Sequence, residues 1–331
     1  MSTHEVRIIE ISEVRPHDNA ERLEIVPVGG WQAVVKKGQF SQGDHAVYIE
    51  PDYTVPTDRE EFAFLARDGR DRHRLKAVRL RGVLSFGLLI PVPAECADLP
   101  IGADVMEALG IERYAPPLNV SGADDLPKDQ WPSIYTPVFD VESLNKFPGV
   151  IADGEPVIVT EKIHGANARY LFLDGRFYMG SRTRWLRHDV EHAWKKAADA
   201  TPTLRAFCEA RPGVIVFGEI FGRVQSLKYG REQGVAFAAF ACLARDRWID
   251  LAGLRCDMED EGVPIVPLLY QGPFDRQQIA DLVEGDSRVP GAPVGHMMEG
   301  AVIVPSQERR DDNIGRVALK LISNRYWESE A

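Results

Sequence analysis

The chain has 331 residues, of which 44% are hydrophobic and 27% are charged, and its formal net charge is −11 at pH 7. This length favours two domains, and the composition is that of an ordinary globular protein. No apolar stretch approaches the roughly 20 residues that span a bilayer. The acidic balance argues against a protein that only coats nucleic acid, but it leaves open an enzyme with a local basic patch.

The N-terminus and the cysteines indicate the compartment. Met1 leads directly into strand-like sequence with no apolar signal segment. The four cysteines, Cys96, Cys208, Cys242 and Cys256, are scattered and form no C-x-x-C pair. This spacing suits neither a disulfide framework nor a zinc site. We therefore expect reduced thiols and a cytoplasmic protein.

Residues 1–95 contain short apolar runs separated by turn residues, which is typical of a small β-barrel. The segments Pro16–Leu23 and Gly43–Ile49 resemble the OB-fold tRNA-binding modules of some synthetase-associated proteins. That resemblance implies an RNA-binding OB-fold domain over residues 1–95. The predicted strands are Val6–Val14, Leu23–Val28, Trp31–Val35, Ala46–Ile49, Leu75–Leu80 and Leu84–Ile90.

Residues 96–150 are less regular, and Pro116, Pro117, the run Ser121–Asp125 and Pro127 predict a linker or crossing segment. Residues 151–331 alternate apolar strands with fewer helices, so we expect an α+β domain built on antiparallel sheets with flanking helices. One helix is predicted between Thr201-Pro202 and Gly213, and another from about Asp275 to Glu284. The predicted strands here are Val157–Thr160, Val214–Ile220, Val235–Cys242, Ala301–Val304 and Val317–Ile322.

A lysine, Lys162, ends one of these strands and is followed at once by a turn at Gly165. Alone, this pattern predicts only a solvated strand end, but five further short motifs follow it in order. The series resembles that of the covalent nucleotidyltransferases, which comprise DNA ligases, RNA ligases and mRNA-capping guanylyltransferases. The resemblance implies an ATP-grasp-like ligase domain over residues 151–331. The later motifs are Ser181–Arg184, Phe217–Gly222, Phe237–Phe240, Met298–Ile303 and Arg316–Lys320.

The expected chemistry explains why such residues are needed. A lysine with a pKa of about 10.4 is almost entirely ammonium at neutral pH and cannot attack the α-phosphorus of ATP. We therefore expect desolvation and nearby cations to lower the pKa of Lys162. A divalent metal, Mg²⁺ or Mn²⁺, could supply part of that effect and neutralise the phosphates. Glu219 and Glu299 are the candidates for holding its bound waters.

Other residues of the motifs are candidates for binding the nucleotide. Lys320 and Arg182 carry positive charge suited to phosphates in the transition state. Phe240 is the first candidate for stacking on the purine, and Phe237 is the reserve. Each of these residue types also occurs commonly as an ordinary surface charge or core side chain.

The run Glu161-Lys162-Ile163-His164-Gly165-Ala166-Asn167 closely resembles the T4-type RNA ligases, which include the trypanosome RNA-editing ligases. DNA ligases and capping enzymes usually have aspartate in place of His164. The resemblance implies that His164 serves AMP transfer to the RNA 5′-phosphate and that Arg182 lies on the 3′-OH side of the nick. It places Glu219 on the ribose and Asn167 on the ribose or the RNA end. It also implies that Glu161, Ile163 and Gly165 belong to the nucleotide-binding site.

The order of the two predicted domains distinguishes among the branches of this superfamily. The OB-like module precedes the ligase-like domain, and the chain ends soon after Lys320, so we expect no C-terminal OB domain. This arrangement resembles the Deinococcus/Naegleria-type RNA ligases. One departure is the last motif, which usually has two lysines as K-x-K, whereas only Lys320 is present here. Arg316 and Arg325 are candidate replacements, although neither has the expected spacing.

Residues 67–81 are locally basic and predict a phosphate-binding surface. In a regular strand Arg74 and Lys76 would face opposite to Arg79 and Arg81, so a bulge must reunite them or the charge must wrap around the barrel. Arg184 is a further candidate for RNA contact. The cations are Arg67, Arg70, Arg72, Arg74, Lys76, Arg79 and Arg81, against Asp68 and Asp71.

These features predict an ATP-dependent RNA ligase that seals nicks between 3′-OH and 5′-phosphate ends through lysyl-AMP and RNA-adenylate intermediates. The expected substrate is nicked duplex RNA or an RNA/DNA hybrid, recognised by shape and backbone, and no obligate protein partner is evident. Two alternatives stay open: a DNA ligase or capping-type nucleotidyltransferase, and a non-catalytic RNA-binding protein with a degenerate ligase fold.

Overall fold

The computed structural model describes residues 4–67, 70–114 and 124–330. Within these ranges the chain divides into two compact units. The N-terminal unit comprises residues up to 114 together with 144–148 and 327–330, and the larger unit comprises 124–143 and 149–326.

The N-terminal unit consists of short, mostly antiparallel strands. They form the three-stranded sheets β1-β5-β10, β2-β3-β4 and β11-β6-β7 and the hairpin β8-β9. An OB-type β architecture is thereby confirmed. The strands are β1 Ile8–Glu10, β2 Arg15–Pro16, β3 Leu23–Val28, β4 Trp31–Lys36, β5 His45–Ile49, β6 Tyr53–Pro56, β7 Arg72–Arg74, β8 Val78–Leu80, β9 Val83–Ser85, β10 Leu88–Pro91 and β11 Glu112–Arg113.

The predicted strand Leu84–Ile90 is wrong as a single element because it breaks between β9 and β10 at Gly87. The φ of Gly87 is +74°, and a Cβ there would lie 2.1 Å from the carbonyl oxygen of Ile49. Only glycine permits both the left-handed conformation and this close approach.

The predicted strand Leu75–Leu80 is also wrong, because residues 75–77 leave the sheet between β7 and β8. Leu75 and Ala77 are buried, whereas Val78 is exposed. No side chain of β8 is buried, so the alternating burial of residues 75–77 does not continue into it.

Residues 96–114 do not form a linker. Cys96, Val105, Leu109 and Ile111 are buried in the core of the N-terminal unit together with residues of β1, β5 and β10. The proline pair at 116–117 and the run 121–123, on which the linker prediction partly depended, lie outside the described residues. The part that follows, from residue 124 to 143, belongs to the larger unit.

The larger unit contains two large sheets, the two-stranded sheet β22-β23 and four complete α-helices in its described residues. The five-stranded sheet has the order β12-β24-β21-β13-β20, and the six-stranded sheet has the order β16-β15-β14-β17-β18-β19. The elements in chain order are β12 Glu142–Ser143, β13 Pro156–Lys162, β14 Ala166–Leu173, β15 Arg176–Gly180, β16 Trp185–Leu186, α1 Ala193–Asp199, α2 Pro202–Ala210, β17 Val214–Gly222, β18 Val235–Ala244, β19 Arg247–Trp248, α3 Leu251–Asp260, β20 Leu268–Pro273, α4 Arg276–Val283, β21 Gly300–Pro305, β22 Arg310–Asp311, β23 Gly315–Arg316, β24 Leu319–Ile322 and α5 Asn324–Glu330.

Both faces of the six-stranded sheet are covered, which explains its nearly continuous apolar sequence. One face packs on α1, α2, α3 and apolar side chains of the five-stranded sheet. The other face is covered by the segment 126–139, which contributes Leu126, Trp131, Ile134 and Phe139. The predicted α+β domain of antiparallel sheets with flanking helices is confirmed, apart from the parallel pairing of β12 with β24.

Capping residues read from the sequence mark two helices. Pro202 is the first residue of α2, and Gly213, with a φ of +84°, follows its end. Asp275 caps α4 by accepting a hydrogen bond from the Gln278 main-chain N–H at 2.9 Å. No helix in the described ranges is long and apolar enough to cross a membrane.

Candidate functional site

Lys162 is the last residue of β13, and its ammonium group is held by an acidic partner. Its Nζ donates a hydrogen bond to Glu299 Oε1 at 2.6 Å, and the lysine side chain is 24% exposed. Glu299 immediately precedes β21, which pairs with β13 so that Lys162 lies opposite Gly300. The two strands therefore bring together residues 137 positions apart in the sequence.

The electrostatic balance at Lys162 differs from the sequence-based expectation. Burial acts to lower the pKa of Lys162, but the negative charges of Glu299 and Glu219 outweigh it, so the pKa is raised above its ordinary value. The expected lowered pKa is therefore wrong for the protein without ligands. A lowered pKa of Lys162 requires that the negative charge of Glu299 and Glu219 be neutralised.

Glu219 lies on β17 directly opposite Asn167 of β14, so the two side chains project from the same face of the six-stranded sheet. Burial raises the pKa of Glu219 to about 8, an effect that the positive charge of Lys162 reduces and Glu299 reinforces. Gly165 allows this close packing, because a Cβ there would lie 2.1 Å from Ile220 O and 2.9 Å from Glu219 Cγ.

Glu299 has one carboxylate oxygen without a hydrogen-bond donor. Its Oε2 is buried and lies 3.7 Å from His164 Nδ1, beyond hydrogen-bonding distance. Burial alone would raise the pKa of Glu299. Lys162 and His164 lower the pKa by more than burial raises it, so the carboxylate is ionised. A buried, ionised oxygen without a donor fits a bound cation or its water.

These carboxylates fit a metal that keeps most of its water. No group of three or more His, Cys, Asp or Glu side chains within the described ranges could hold a metal ion by itself. Mg²⁺ is commonly bound through one or two carboxylates together with waters and substrate phosphates. Glu219 and Glu299 could hold such an ion only together with the nucleotide.

His164 lies in the turn between β13 and β14 and is surrounded by hydroxyl groups. Its Nε2 is 3.1 Å from Ser226 Oγ, and its Nδ1 is 3.3 Å from Tyr326 Oη. Its main-chain N–H donates to Tyr229 Oη at 2.7 Å. His164 lies in a motif recognised in the sequence, whereas its partners Ser226, Tyr326 and Tyr229 lie in none.

The structure corrects the assignment of Glu161 and Ile163 as nucleotide contacts. Glu161 is 1% exposed and accepts hydrogen bonds from Ser287 Oγ at 2.5 Å and from the Arg288 main-chain N–H at 2.7 Å. Ile163 is buried in a small apolar cluster with Tyr229. Because both side chains are enclosed by protein, they position the strand end instead of contacting a ligand. By contrast, the buried Oδ1 of Asn167 has no hydrogen-bond partner among the described residues.

The predicted phosphate-binding cations of this unit lie in different settings. Lys320 pairs with Val302, which pairs with Thr160, so Lys320 and Lys162 lie on the same face of the five-stranded sheet. Arg182 forms an ion pair with Asp140, whose negative charge also acts on Lys162.

Arg184, a predicted RNA contact, is engaged within the protein. Its Nη1 lies 3.1 Å from Asp125 Oδ1, so RNA would have to compete with this carboxylate.

The two phenylalanines assigned to purine stacking differ in burial. Phe237 is 2% exposed, packs edge-on against Tyr170, and fills the space above Gly218, so it is a core residue and its assignment as a purine platform is wrong. Phe240 is partly buried at a β-bulge in β18, and its ring centroid lies 4.5 Å from that of Phe139. At least one side of Phe240 is therefore already covered.

Neither arginine proposed to replace the second lysine of the last motif is available. Arg316 pairs with Glu308, and its guanidinium lies 4.3 Å from the centroid of the Trp248 ring. Arg325 donates to the carbonyl oxygens of Glu284, Gly285 and Gly295. Both side chains stabilise loops, and position 322, where the second lysine would stand, is isoleucine.

In the N-terminal unit, the predicted basic surface is largely engaged by carboxylates and carbonyls. Arg74 pairs with Asp52 at 2.6 Å, and Lys76 donates to the main-chain oxygen of Glu330. Arg79 pairs with Glu328. These cations come from separate strands and loops, so neither a bulge nor a continuous strand brings them together.

Arg67, Arg70 and Arg81 of this surface are exposed and form no ion pair within the described residues. Of these three, Arg81 is a predicted RNA contact. It is exposed, with a φ of +49° in the turn between β8 and β9. Asp68, one of the two acidic residues of the predicted patch, lies outside the described residues.

Two family models match the chain. The RNA ligase model matches residues 155–322, about half of the chain, and an OB-fold domain model matches residues 5–92. No curated protein matches it.

Solved structures of a Naegleria gruberi RNA ligase are similar over 98% of this chain. A mutant without ligand has 26% sequence identity and a TM-score of 0.82, with 98% of that chain covered. The form with pyrophosphate has 27% identity and a TM-score of 0.82, and a mutant with ATP and manganese has 26% and 0.81, each with 98% of that chain covered. The chain therefore belongs to the RNA ligase family, as an ATP-dependent RNA ligase with an N-terminal OB domain.

Proposed function

We propose that this RNA ligase seals nicks between 3′-OH and 5′-phosphate ends in duplex RNA or RNA/DNA hybrids, with Lys162 as the residue that carries AMP. The observation that carries the proposal is the position of Lys162 at the end of a buried strand, 2.6 Å from Glu299 and within the electrostatic influence of Glu219. Lys162 lies within the part of the chain, residues 155–322, that the RNA ligase model matches.

Three steps follow from this assignment. In the first, Nζ of Lys162 loses a proton to solvent and attacks the α-phosphorus of ATP, so that a P–N bond forms and pyrophosphate leaves. In the second, the RNA 5′-phosphate attacks the same phosphorus and breaks the P–N bond, which yields an RNA-adenylate. In the third, the 3′-OH attacks the 5′-phosphate and AMP leaves. Lys320 and Arg182 would stabilise the phosphate charges that develop in these steps.

Glu219 and Glu299 would hold the divalent metal through its waters and the nucleotide phosphates. Bound there, the metal would offset the two negative charges that raise the pKa of Lys162, while the lowering effect of burial would persist. The Naegleria structures with ATP or AMP and manganese support a divalent metal beside the nucleotide.

Most of the candidate RNA-contacting residues belong to the N-terminal unit. Arg81 is exposed and free to meet phosphates, whereas Arg74, Lys76 and Arg79 would have to exchange their present partners for phosphate oxygens. Such contacts are independent of base sequence and depend on salt. This fits a nick-sealing enzyme, which recognises duplex shape and ends and has no need to read a sequence.

AMP transfer is tested by incubating the protein with α-labelled ATP or GTP and a divalent metal, followed by a denaturing gel. We expect label from ATP in the wild type and in Lys196→Ala, a substitution of an exposed lysine on α1, and none in Lys162→Ala. Label from GTP alone, or label that persists in Lys162→Ala, would overturn the assignment.

The substrate is tested with nicked duplexes carrying RNA or DNA on each side of the nick. We expect sealing where the strand that supplies the 3′-OH end is RNA. Equal sealing of all-DNA nicks would exclude an RNA-specific acceptor, and adenylylation without any sealing would leave the enzyme as an adenylyltransferase acting on another RNA end.

A further inference from the structure

Tyr229, in the loop after β17, contacts the turn that follows the nucleophile. Its side chain is fully buried, and its hydroxyl accepts the hydrogen bond from the His164 main-chain N–H at 2.7 Å. His164 is two residues beyond Lys162, in the turn that carries the chain from the five-stranded to the six-stranded sheet. The direction in which Lys162 projects therefore depends on a turn whose amide Tyr229 holds.

The surrounding protein imposes an unfavourable backbone conformation on Tyr229. Its φ is +51°, in the left-handed region that bulky residues rarely adopt. Its main-chain N–H donates to His296 Nε2 at 3.2 Å, and its ring stacks on that of His296 with centroids 4.7 Å apart. The next residue, Gly230, could not carry a Cβ, because the atom would lie 2.1 Å from Gly291 O.

The segment that ends at Glu299 connects all these contacts. Residues 287–288 bind the carboxylate that precedes Lys162, His296 holds Tyr229, and Glu299 pairs with Lys162 itself. Burial also raises the pKa of Tyr229, which keeps its hydroxyl neutral. The strand end is thus fixed on one side by Glu161 and the turn on the other by Tyr229.

We propose that Tyr229 is a positioning residue for AMP transfer, whose hydroxyl holds the His164 amide and thereby aims Lys162 at the α-phosphorus of ATP. The proposal rests on the proposed function of Lys162 and adds no chemical step to it. A misplacement of about 1 Å can slow an enzymatic step about a hundredfold. Loss of this hydroxyl should therefore slow AMP transfer without weakening ATP binding.

The test compares Tyr229→Phe with a matched control, Tyr170→Phe. Both substitutions remove one hydroxyl from a fully buried ring, and the hydroxyl of Tyr170 donates to Trp194 O at 2.8 Å. Single-turnover AMP transfer is measured over a range of ATP concentrations, well below the melting temperature of each variant. Exchange of the His164 amide proton is followed by NMR as a direct readout of the contact.

We expect Tyr229→Phe to lower the limiting rate about tenfold to a hundredfold, to leave the ATP concentration at half-maximal rate within about twofold, and to speed exchange of the His164 amide. Tyr170→Phe should change none of these. A Tyr229→Phe rate equal to that of the wild type, an equal fall in both variants, or a defect removed by more ATP would overturn the proposal. Absence of label on wild-type Lys162 would instead refute the proposed function.

Discussion

At the scale of single residues, the carboxylate pair favours the ammonium form of Lys162, the proposed nucleophile, in the protein alone. Glu299 and Glu219 raise the pKa of Lys162 despite its burial. An enzyme that holds its lysine as an ammonium until nucleotide and metal arrive couples activation to substrate binding. The carboxylates therefore have two roles, since they suppress the free lysine and would hold the metal.

The metal dependence of AMP transfer can distinguish a metal-binding role of Glu299 from its ion pair with Lys162. In Glu299→Gln we expect the rate of AMP transfer to Lys162 to fall about a hundredfold, because residues that orient a metal's ligands typically contribute 10- to 100-fold. The remaining rate should depend only weakly on Mn²⁺ concentration. Adenylylation kinetics over a metal titration checks this, with Glu209→Gln on the exposed surface of α2 as the control. An unchanged metal dependence in Glu299→Gln would contradict a metal role.

An ion pair at the start of β13 predicts pH-dependent stability. Arg309 donates to both oxygens of Glu155 at 2.7 and 2.9 Å and to Val150 O at 2.7 Å. The Arg309 hydrogen bond holds the pKa of Glu155 below its ordinary value, although burial opposes this. The stabilisation is therefore present above the unfolded-state pKa and lost as pH falls through the lower folded-state value.

For Glu155→Gln we expect a loss of about 1 kcal/mol in the free energy of unfolding at pH 7, because the pair is partly exposed. The difference from the wild type should shrink at acid pH. Urea denaturation at several pH values measures it. A difference that stayed constant with pH would show that the carboxylate charge is not the source.

At the scale of elements, β3 and the break at Gly87 differ in their cause. Local sequence determines the ends of β3, whereas packing against a distant strand determines the break at Gly87. β3 has the predicted ends, because Leu23–Val28 is bounded by turns on both sides. The break at Gly87 depends on the approach of Ile49 O, from a strand almost 40 residues earlier. No pattern within the window 84–90 encodes that neighbour.

Gly87 can be compared with a glycine that has the same backbone requirement but no close neighbour. Gly43 has a φ of +89°, and a Cβ there would meet nothing within 4 Å. We expect Gly43→Ala to cost about 1–2 kcal/mol through the left-handed conformation alone. Gly87→Ala should cost at least about 2 kcal/mol more, because the added methyl collides with main chain. Equal losses in chemical denaturation would refute the steric explanation.

The same distinction applies to the site. Lys162, Glu219, Glu299 and Lys320 were found in the sequence because each lies in a short motif. Tyr229 was missed because its contribution depends on a left-handed backbone conformation and on a histidine 67 positions away. The direction of the Lys162 pKa shift was also missed, since it depends on two carboxylates that adjoin the lysine only after folding.

At the scale of the whole molecule, the partners of the basic surface were the least predictable feature. Lys76 and Arg79 bind residues of the segment Trp327–Glu330, about 250 positions later in the sequence. Trp327 packs edge-on against Phe86, which anchors this segment to the N-terminal unit. In a protein of net charge −11, Arg79 is thereby paired with the Glu328 carboxylate, and the Glu330 carboxylate lies 3.9 Å from Arg74.

RNA phosphates would have to displace the Glu328 and Glu330 carboxylates from Arg79 and Arg74, so removing this negative charge should strengthen RNA binding. We expect Glu328→Gln combined with Glu330→Gln to raise the affinity for duplex RNA by about three- to tenfold at low salt, with the gain shrinking as salt screens the charges. AMP transfer to Lys162 should be unchanged. Fluorescence anisotropy over a salt series provides the measurement.

Glu107→Gln is the matched control, because this exposed carboxylate of the N-terminal unit has no described side-chain partner among the basic residues. A general effect of net charge would raise affinity for RNA in this variant as well. A local effect would appear only when the carboxylates bound to Arg79 and close to Arg74 are removed. If the double variant bound RNA no better than the wild type, then Arg74, Lys76 and Arg79 would serve to hold the C-terminal segment, and RNA contact in this surface would fall to the exposed Arg67, Arg70 and Arg81.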